Sequence, residues 1–346
     1  MELEIVEHLS RLRDIVPEWA ALVEHCETAT PFQHPRWLLP WWKNFGSGRL
    51  QVLVFRREGI AAGIVPCFCH EWNGRRQLTL IGAGVTDYLD PVMDSRCSRE
   101  IIALLQKYLD SSRDWEICDW QDLSAATPFA NLQRADVQAD TPCSEVALSG
   151  CFDEFWRSRS ADLRRNVRRY SQRAQASGEV SFEVSERPSP ELFDAMVRLH
   201  ALRWQKHGGR GMIAANGSES FLREVTVEFA ERGLARLFAM RFQGEPVAVI
   251  LGFVERDKIF GYMSAFDPEH EHLGFGRTLL YEAIRYSFAE GYKAWNFLRG
   301  DEAYKTWWGA HPIPRCRVII RRPAGRITTA DIDAGSRRSY AAHRNV

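Results

Sequence analysis

Hydrophobic and polar positions along the chain fall into two successions of the same form. In the first, positions 50–56 alternate and are rich in Val and Leu, Glu58 and Gly59 supply a turn, and 60–68 resume the pattern. That is a strand, a tight turn and a strand. Positions 77–81 read as another strand, followed by the loop Gly82-Ala83-Gly84-Val85-Thr86-Asp87-Tyr88-Leu89-Asp90-Pro91. From 98 to 109 the apolar residues at 101, 102, 104, 105 and 109 mark one helix face. A short strand over 115–120 closes the set, and a short helix over 37–45 precedes it. The second succession repeats the order. Strands over 235–242 and 246–254 flank the turn Gln243-Gly244-Glu245, and a strand over 258–265 follows. A loop over 266–275 then leads to a helix over 276–290 and a strand over 294–298. Turn glycines Gly59 and Gly244, and strand-opening Trp115 and Trp295, repeat at nearly one offset, so a duplicated domain is expected rather than a solenoid.

Between the copies, 152–175 reads as one amphipathic helix. Leu163, Val167, Tyr170 and Ala174 form its apolar stripe, and arginines at 157, 159, 164, 165, 168, 169 and 173 ring it. Further helices are expected over 191–205 and over 219–232, the latter ended by Gly233, with a flexible Gly208-Gly209-Arg210-Gly211 loop between them. The expected organisation is an N-terminal lobe over 1–150, a C-terminal lobe over 151–325 and a polar, basic tail over 326–346.

Composition narrows the function classes. At 346 residues, with 45% hydrophobic and 26% charged positions, the chain is long enough for two cores. Lys and Arg number 45, as do Asp and Glu, so no whole-protein basic field exists for nucleic acid or membrane. Any polyanion site must be a local patch. The acidic start MELEIVEHLSRL lacks the marks of a signal peptide. The apolar run at 247–254 is too short to span a bilayer. Eight scattered cysteines make no disulfide scaffold, so a reducing cytoplasm is the expected compartment. Twelve tryptophans, with Trp37, Trp41 and Trp42 together and Trp307 beside Trp308, suit either core packing or an aromatic substrate groove.

The segment with most chemical content is Glu271-His272-Leu273-Gly274-Phe275-Gly276-Arg277-Thr278. Glycines feeding a helix leave backbone N–H groups free at its N-terminus, a cradle for a diphosphate, and Arg277 adds charge. Other chemistries lack their residues. Cys67-Phe68-Cys69-His70 has no second pair at metal-ligand spacing, and His270-Glu271-His272 reads as a solvated loop, so no metal is expected. No Gly-x-Ser-x-Gly or Walker sequence occurs, and the Gly-x-Gly stands outside a dinucleotide-binding βαβ unit.

Hairpin, strand, Gly-x-Gly loop, helix and strand resemble the core order of the GNAT acyltransferase superfamily. Glu271-x-x-Gly274-x-Gly276 is similar to its acyl-CoA loop, with glutamate where that family carries glutamine or arginine. A closer likeness is to the CelD-like, BioF-type acetyltransferase domain family, carried by Leu199-His200-Ala201-Leu202-Arg203-Trp204 and by Phe297-Leu298-Arg299-Gly300-Asp301-Glu302-Ala303-Tyr304-Lys305-Thr306-Trp307-Trp308-Gly309. Pro31-Phe32-Gln33, the 82–91 loop and the Arg-rich 163–169 segment extend it over roughly residues 30 to 320. The resemblance implies an α/β (α+β) tandem GNAT fold of two mixed sheets flanked by helices. It also implies a bacterial acyltransferase using acetyl-CoA or another acyl-CoA, in polysaccharide, cellulose-type or cell-envelope biosynthesis. The plan is also similar to the Fem-type transferases, which take aminoacyl-tRNA. Their Phe-Lys-x-Gly-Phe-Gly ending resembles Tyr304-Lys305-Thr306-Trp307-Trp308-Gly309, and this places Lys305 at the reacting carbonyl.

Acyl transfer to an amine needs a carbonyl polariser, a deprotonated nucleophile and a route for its proton. Lys305, Asp301, Glu302 and Tyr304 are the candidate catalytic set, with Asp301 or Glu302 as proton acceptor. Arg299 is a clamp for phosphate or carboxylate. The other reading of these charges is an Arg299–Asp301 or Glu302–Lys305 ion-pair network that fixes the loop. Gly274, Phe275, Gly276, Arg277 and Thr278 are the candidate donor site, and Trp308, Arg203 and Trp204 are candidate acceptor contacts. In the first copy no Gly-x-Gly-Arg precedes the helix, so that lobe is expected to have lost donor binding. It would present Asp87, Tyr88 and Asp90 to the acceptor, or hold them in a turn with Pro91. The expected substrate is a polar small molecule or a sugar- or nucleotide-linked acceptor. An aminoacyl-tRNA donor is the alternative, as is a non-catalytic binding subunit, which Glu271 favours because a carboxylate repels a diphosphate.

Overall fold

A computed structural model describes residues 1–206, 208–209, 211–214 and 217–322, and the expected tail over 326–346 lies outside them. Among the described residues two compact units form, one of 1–141 with 314–322, the other of Pro142–Ile313.

In the first unit β1 (Glu2–Val6) leads into α1 (Leu9–Asp14), α2 (Val16–His25) and α3 (Pro35–Phe45). The hairpin β2 (Arg49–Arg57) and β3 (Ile60–Trp72) follows. Next come β4 (Arg75–Leu80), a two-residue β5 (Val92–Met93) paired with β3, α4 (Ser98–Ser111) and β6 (Ile117–Ser124). From β7 (Ala135–Ala147) the chain enters the second unit, through α5 (Phe152–Arg157) and α6 (Ala161–Ser177) to β8 (Val180–Ser185). Two helices, α7 (Pro190–Lys206) and α8 (Ser218–Ala230), precede the antiparallel run β9 (Ala235–Phe242), β10 (Glu245–Glu255) and β11 (Lys258–Phe266). Then come α9 (Phe275–Ala289), β12 (Ala294–Arg299), α10 (Ala303–Trp307) and finally β13 (His311–Arg321).

The duplication read from the sequence is present as two runs of strands of one design, though not as the two separate sheets expected. The first unit's run is β1-β2-β3-β4-β6-β13 and the second unit's is β8-β9-β10-β11-β12-β7. Within each run every neighbouring pair is antiparallel except β4 with β6 and β11 with β12, which are parallel because a helix crosses between them. In each run the place beside the last strand is taken by a segment from elsewhere in the chain. Residues 315–321 of β13 pair with β6, and residues 143–147 of β7 pair with β12.

The apolar positions explain the layers. Ile101, Leu105 and Leu109 of α4 pack with Trp115, Trp120 and Phe129 in the first core, and Leu279, Ala283 and Ile284 of α9 with Phe238 and Trp295 in the second. The expected single helix over 152–175 is broken. Ser160 caps α6 by accepting a hydrogen bond from the Leu163 amide at 3.2 Å, and Arg159 turns back to Phe155 and Trp308. A side-chain cap offers a helix start where a continuous helix would leave serine idle.

Candidate active site

In the second unit β11 and β12 pair only over their first three positions, Lys258 with Ala294, Ile259 with Trp295 and Phe260 with Asn296. Beyond that they part, and both change course where they do. The register of β11 on β10 passes from Gly261–Gly252 to Met263–Leu251, which inserts Tyr262 as an extra residue. On β12 the register against β7 shifts between Asn296 and Leu298, and Leu298 takes φ +59°. Such bulges bend a strand and free backbone groups from the ladder. Asn296 is buried and stands in for the lost ladder. Its Oδ1 accepts the Leu298 amide at 2.9 Å, and its Nδ2 donates to Glu145 at 3.1 Å.

The bend after β12 is wound around one ammonium. Lys305 is 2% exposed, and its Nζ donates to the carbonyls of Leu298 (3.2 Å), Arg299 (2.7 Å) and Gly300 (3.2 Å), with Glu302 Oε2 at 2.8 Å. Three donors meet three consecutive carbonyls. A left-handed Leu298 is costly for a branched side chain, and this clamp is what holds it. Gly300 has φ +118°, and a Cβ there would stand 2.3 Å from Glu302 Oε2. Of the two pairs weighed for these charges, Glu302–Lys305 is present. Asp301 is exposed.

Opposite the bend, Gly274 sits in the left-handed region (φ +67°) and opens α9. The amides of Phe275 and Gly276 have no intrahelical acceptor by helix geometry. Phe275 is buried, its ring packed against Phe242 and His270. The Thr278 hydroxyl donates back to the Phe275 carbonyl at 3.1 Å. A Cβ on Gly274 would lie 2.5 Å from the Tyr170 ring, which α6 lays over it. Around that ring stand three guanidinium groups, Arg169 at 5.0 Å, Arg277 at 5.2 Å and Arg173 at 5.9 Å. Arg173 donates to the His272 carbonyl, and Arg277 lies also 5.7 Å from the Trp307 ring. No carboxylate pairs with any of the three among the described residues. Glu271 is paired instead with Lys206 at 2.6 Å, so its charge is balanced beside the loop.

The Leu-His-x-x-Arg-Trp motif lies at the end of α7. His200 is buried and its Nε2 accepts the Trp204 indole N–H at 3.0 Å. Burial, and then the charge of Arg203, pushes the His200 pKa down to about 4, so the ring is neutral near pH 7. Arg203 stacks on Phe266 at the end of β11 (5.1 Å) and interacts electrostatically with Tyr304 and Glu271. Desolvation, reinforced by Glu302, raises the Tyr304 pKa, so its phenol stays protonated. Arg203 and Tyr304 thus meet at the opening. Trp308 does not, for it is buried against Trp156 (5.6 Å), while Trp307 is exposed. Tyr170, Arg169, Arg173, Lys206 and Trp307 were absent from the candidate set. The i,i+4 arginines around Tyr170 and the exposed member of the tryptophan pair are the signals they carried.

The first unit has the same parting of strands, since β4 and β6 pair only over 77–79 with 117–119. There the 82–91 loop laces the gap. The Leu89 amide donates to the Asp122 carbonyl at 2.9 Å, and Asp90 accepts from the Ser124 amide (2.8 Å) and from Arg315 (3.0 Å). Arg315 also donates to the Asp122 carbonyl and lies 4.3 Å over the Tyr88 ring. Asp87 and Tyr88 are buried. The β3–β4 register is unbroken, without the extra residue found in β11. Among the described residues no group of three or more His, Cys, Asp or Glu side chains could hold a metal ion, and no helix is long and apolar enough to cross a membrane.

Residues 161–306 match the family described as Acetyltransferase (GNAT) domain. No curated protein matches the chain. Among solved structures the chain is similar to FemX, with 12% identity over 93% of this chain and 98% of that one and a TM-score of 0.68. It is similar to L-PGS from Bacillus licheniformis, with 11% identity over 94% and 95% and a TM-score of 0.59. The C-terminal domain of a putative lysylphosphatidylglycerol synthetase from Agrobacterium fabrum is also similar, at 12% identity over 89% and 91% and a TM-score of 0.58. At these identities the likeness establishes the fold, and the residues that match the GNAT domain family, 161–306, fall within the second unit.

Proposed function

We propose that the second unit is the catalytic part of an acyltransferase whose donor carries a diphosphate, an acyl-CoA. The observation that carries this reading is the group of Arg169, Arg173 and Arg277 around Tyr170, without a paired carboxylate, at the glycine-led start of α9. Desolvated or stacked cations lacking a counter-ion suit a polyanionic ligand, and the free amides of Phe275 and Gly276 add donors in the same place. The Lys206–Glu271 pair removes the objection that Glu271 raises.

In this reading the donor lies along the opening where β11 and β12 part after Phe260 and Asn296, and backbone N–H donors at that parting polarise the acyl carbonyl. The acceptor amine attacks that carbonyl, the new C–N bond forms and the C–S bond breaks. Tyr304, protonated at neutral pH, gives its proton to the leaving thiolate. Asp301, exposed beside it, draws the proton from the ammonium that develops on the acceptor. Lys305 acts from behind by holding the bend that carries Arg299 and α10, while Arg203 and Trp204 line the α7 side.

The acceptor in this reading is a polar small molecule or a sugar- or nucleotide-linked amine or hydroxyl, in the manner of the CelD-like, BioF-type proteins, and the protein is cytoplasmic. A second reading, an aminoacyl-tRNA donor, is favoured by one observation, the exposed Arg165, Arg168, Arg169 and Arg173 along α6. Thermal-shift titration separates them. Acetyl-CoA at a hundredfold over its Kd adds about 2.7 kcal/mol to apparent stability, and a tenfold weaker Arg277→Ala keeps only about half of that gain. Failure of every acyl-CoA and of free CoA to shift the wild type, with salt-sensitive tRNA binding instead, refutes the first reading and supports the second.

A further inference from the structure

Trp307 and Trp308 are adjacent in the chain and have opposite fates. Trp308 fills the core, whereas Trp307 keeps 45% of its surface in water. An indole left this open forgoes much of the stabilisation its burial would bring. Nor is it a loose surface ring. The Trp308 amide donates to the Lys305 carbonyl (3.2 Å), Gly309 to Thr306 (2.9 Å) and Ala310 to Lys305 (3.2 Å), and Arg159 caps the Trp308 carbonyl. Lys305 in turn pins the start of α10 to the β12 bend. The backbone that carries Trp307 is therefore fixed on both sides.

Its neighbour is Arg277, whose guanidinium lies between the Trp307 ring at 5.7 Å and the Tyr170 ring at 5.2 Å. Stacked this way, an arginine keeps its N–H edge for an anion while its face is spent on the rings. An exposed aromatic surface on a fixed backbone thus stands next to a cationic group suited to phosphate. A ligand complementary to both carries a flat π-system a short way from its phosphates.

We infer that Trp307 is the stacking platform for the heteroaromatic base of the donor, an adenosine bearing phosphates. The inference rests on the diphosphate-donor reading and adds to it the recognition of the base. Coenzyme A and the 3′-terminal adenosine of a tRNA both present this chemistry. Base stacking is sequence-tolerant and depends on the ring rather than on hydrogen bonds, so phenylalanine keeps part of it and alanine none.

The test is isothermal titration of wild type, Trp307→Ala and Trp307→Phe with four probes. These are CoA, adenosine 3′,5′-bisphosphate, 4′-phosphopantetheine, and a deacylated tRNA acceptor-stem minihelix. Stacking of one base corresponds to a loss of roughly tenfold in affinity on alanine substitution. The expected result is that loss for CoA and for the bisphosphate in Trp307→Ala, recovery in Trp307→Phe, and an unchanged affinity for 4′-phosphopantetheine. The same pattern on the minihelix, with CoA failing to bind, assigns the adenosine to RNA. Equal weakening of all probes, 4′-phosphopantetheine included, makes Trp307 a general wall and overturns the platform. Unchanged CoA affinity in Trp307→Ala overturns it as well while leaving the donor reading standing. A wild type that binds none of the probes overturns both.

Discussion

Lys305→Met removes the ammonium and keeps most of the stem, so it isolates what the charge does. In the native protein that charge satisfies three carbonyls at 2.7–3.2 Å and faces Glu302 at 2.8 Å, all at 2% exposure. Removing one partner of a buried pair costs about 3–5 kcal/mol, and stranded carbonyls add to it because each hydrogen bond to a charged group contributes about 1.5–3 kcal/mol. Glu302 keeps a third of its side chain in water, which reduces the pair's share. Leu298 at φ +59° loses the contact that holds it. About 3 kcal/mol is the expected net loss. The assay is urea unfolding followed by far-UV circular dichroism, with the midpoint and slope fitted for wild type and variant. A loss of that size lowers Tm by roughly 6–12 °C in a unit of this size. Glu302→Gln, by contrast, costs under about 1 kcal/mol, because the carbonyls still hold the lysine. A Lys305→Met stability within about 1 kcal/mol of wild type refutes the clamp and returns the ammonium to the reacting carbonyl.

Three further outcomes follow from the geometry. Arg277→Ala weakens CoA about tenfold, with the effect shrinking as salt rises, read by calorimetry at two ionic strengths; equal binding at both strengths contradicts it. Gly274→Ala places a Cβ 2.5 Å from Tyr170 in a left-handed backbone, so it lowers stability by about 1–2 kcal/mol, and Tyr170→Ala in the same protein relieves the contact but not the backbone cost. His200 has its folded pKa depressed to about 4 by burial and Arg203. The unfolded chain therefore binds the proton first as pH falls below about 6.5. Stability is full above that value and declines between about pH 6.5 and 4, by up to about 3 kcal/mol. His200→Gln flattens the decline in a Tm-against-pH series, and an unaltered slope excludes His200 as its source.

Periodic elements were legible and non-periodic ones were not. Over 235–242 and 258–265 the alternation, bounded by Gln243-Gly244 and Asp257, leaves little freedom, and β9 and β11 fall there within one residue. β7 and β13 escaped because they carry Pro142, Pro312 and Pro314, which argue against a strand when read locally. Their pairing partners lie some 150–200 positions away, and that long-range ladder, not propensity, makes them strands. For the site, Gly274-x-Gly276-Arg277 announced a cradle because a positive φ demands a glycine. The placement of Lys305 was not readable. A lysine after a strand has the same sequence signature whether it reaches a substrate or folds back on three carbonyls, and only the bulge at Leu298 decides.

The two copies explain why a single donor site is proposed. Both units contain a parallel pair that separates after three positions, so the opening is a consequence of the fold and not a sign of activity. What differs is how each opening is treated. In the first unit Leu89, Asp90 and Arg315 spend hydrogen bonds to close it, the β3–β4 ladder is regular, and α4 starts without a glycine turn. In the second unit the ladder is bulged at Tyr262. The arginines beside Gly274 stand without carboxylates, and the Trp307 indole beside Arg277 stands in water. A left-handed residue in the strand after the crossover helix is common to both copies, Leu298 in β12 and Asp122 in β6, so that strain belongs to the fold. The bulge does not, since β3 and β4 of the first unit pair without it. An irregular ladder kept in one copy alone, beside cations without carboxylates, is the pattern expected where a ligand compensates for it.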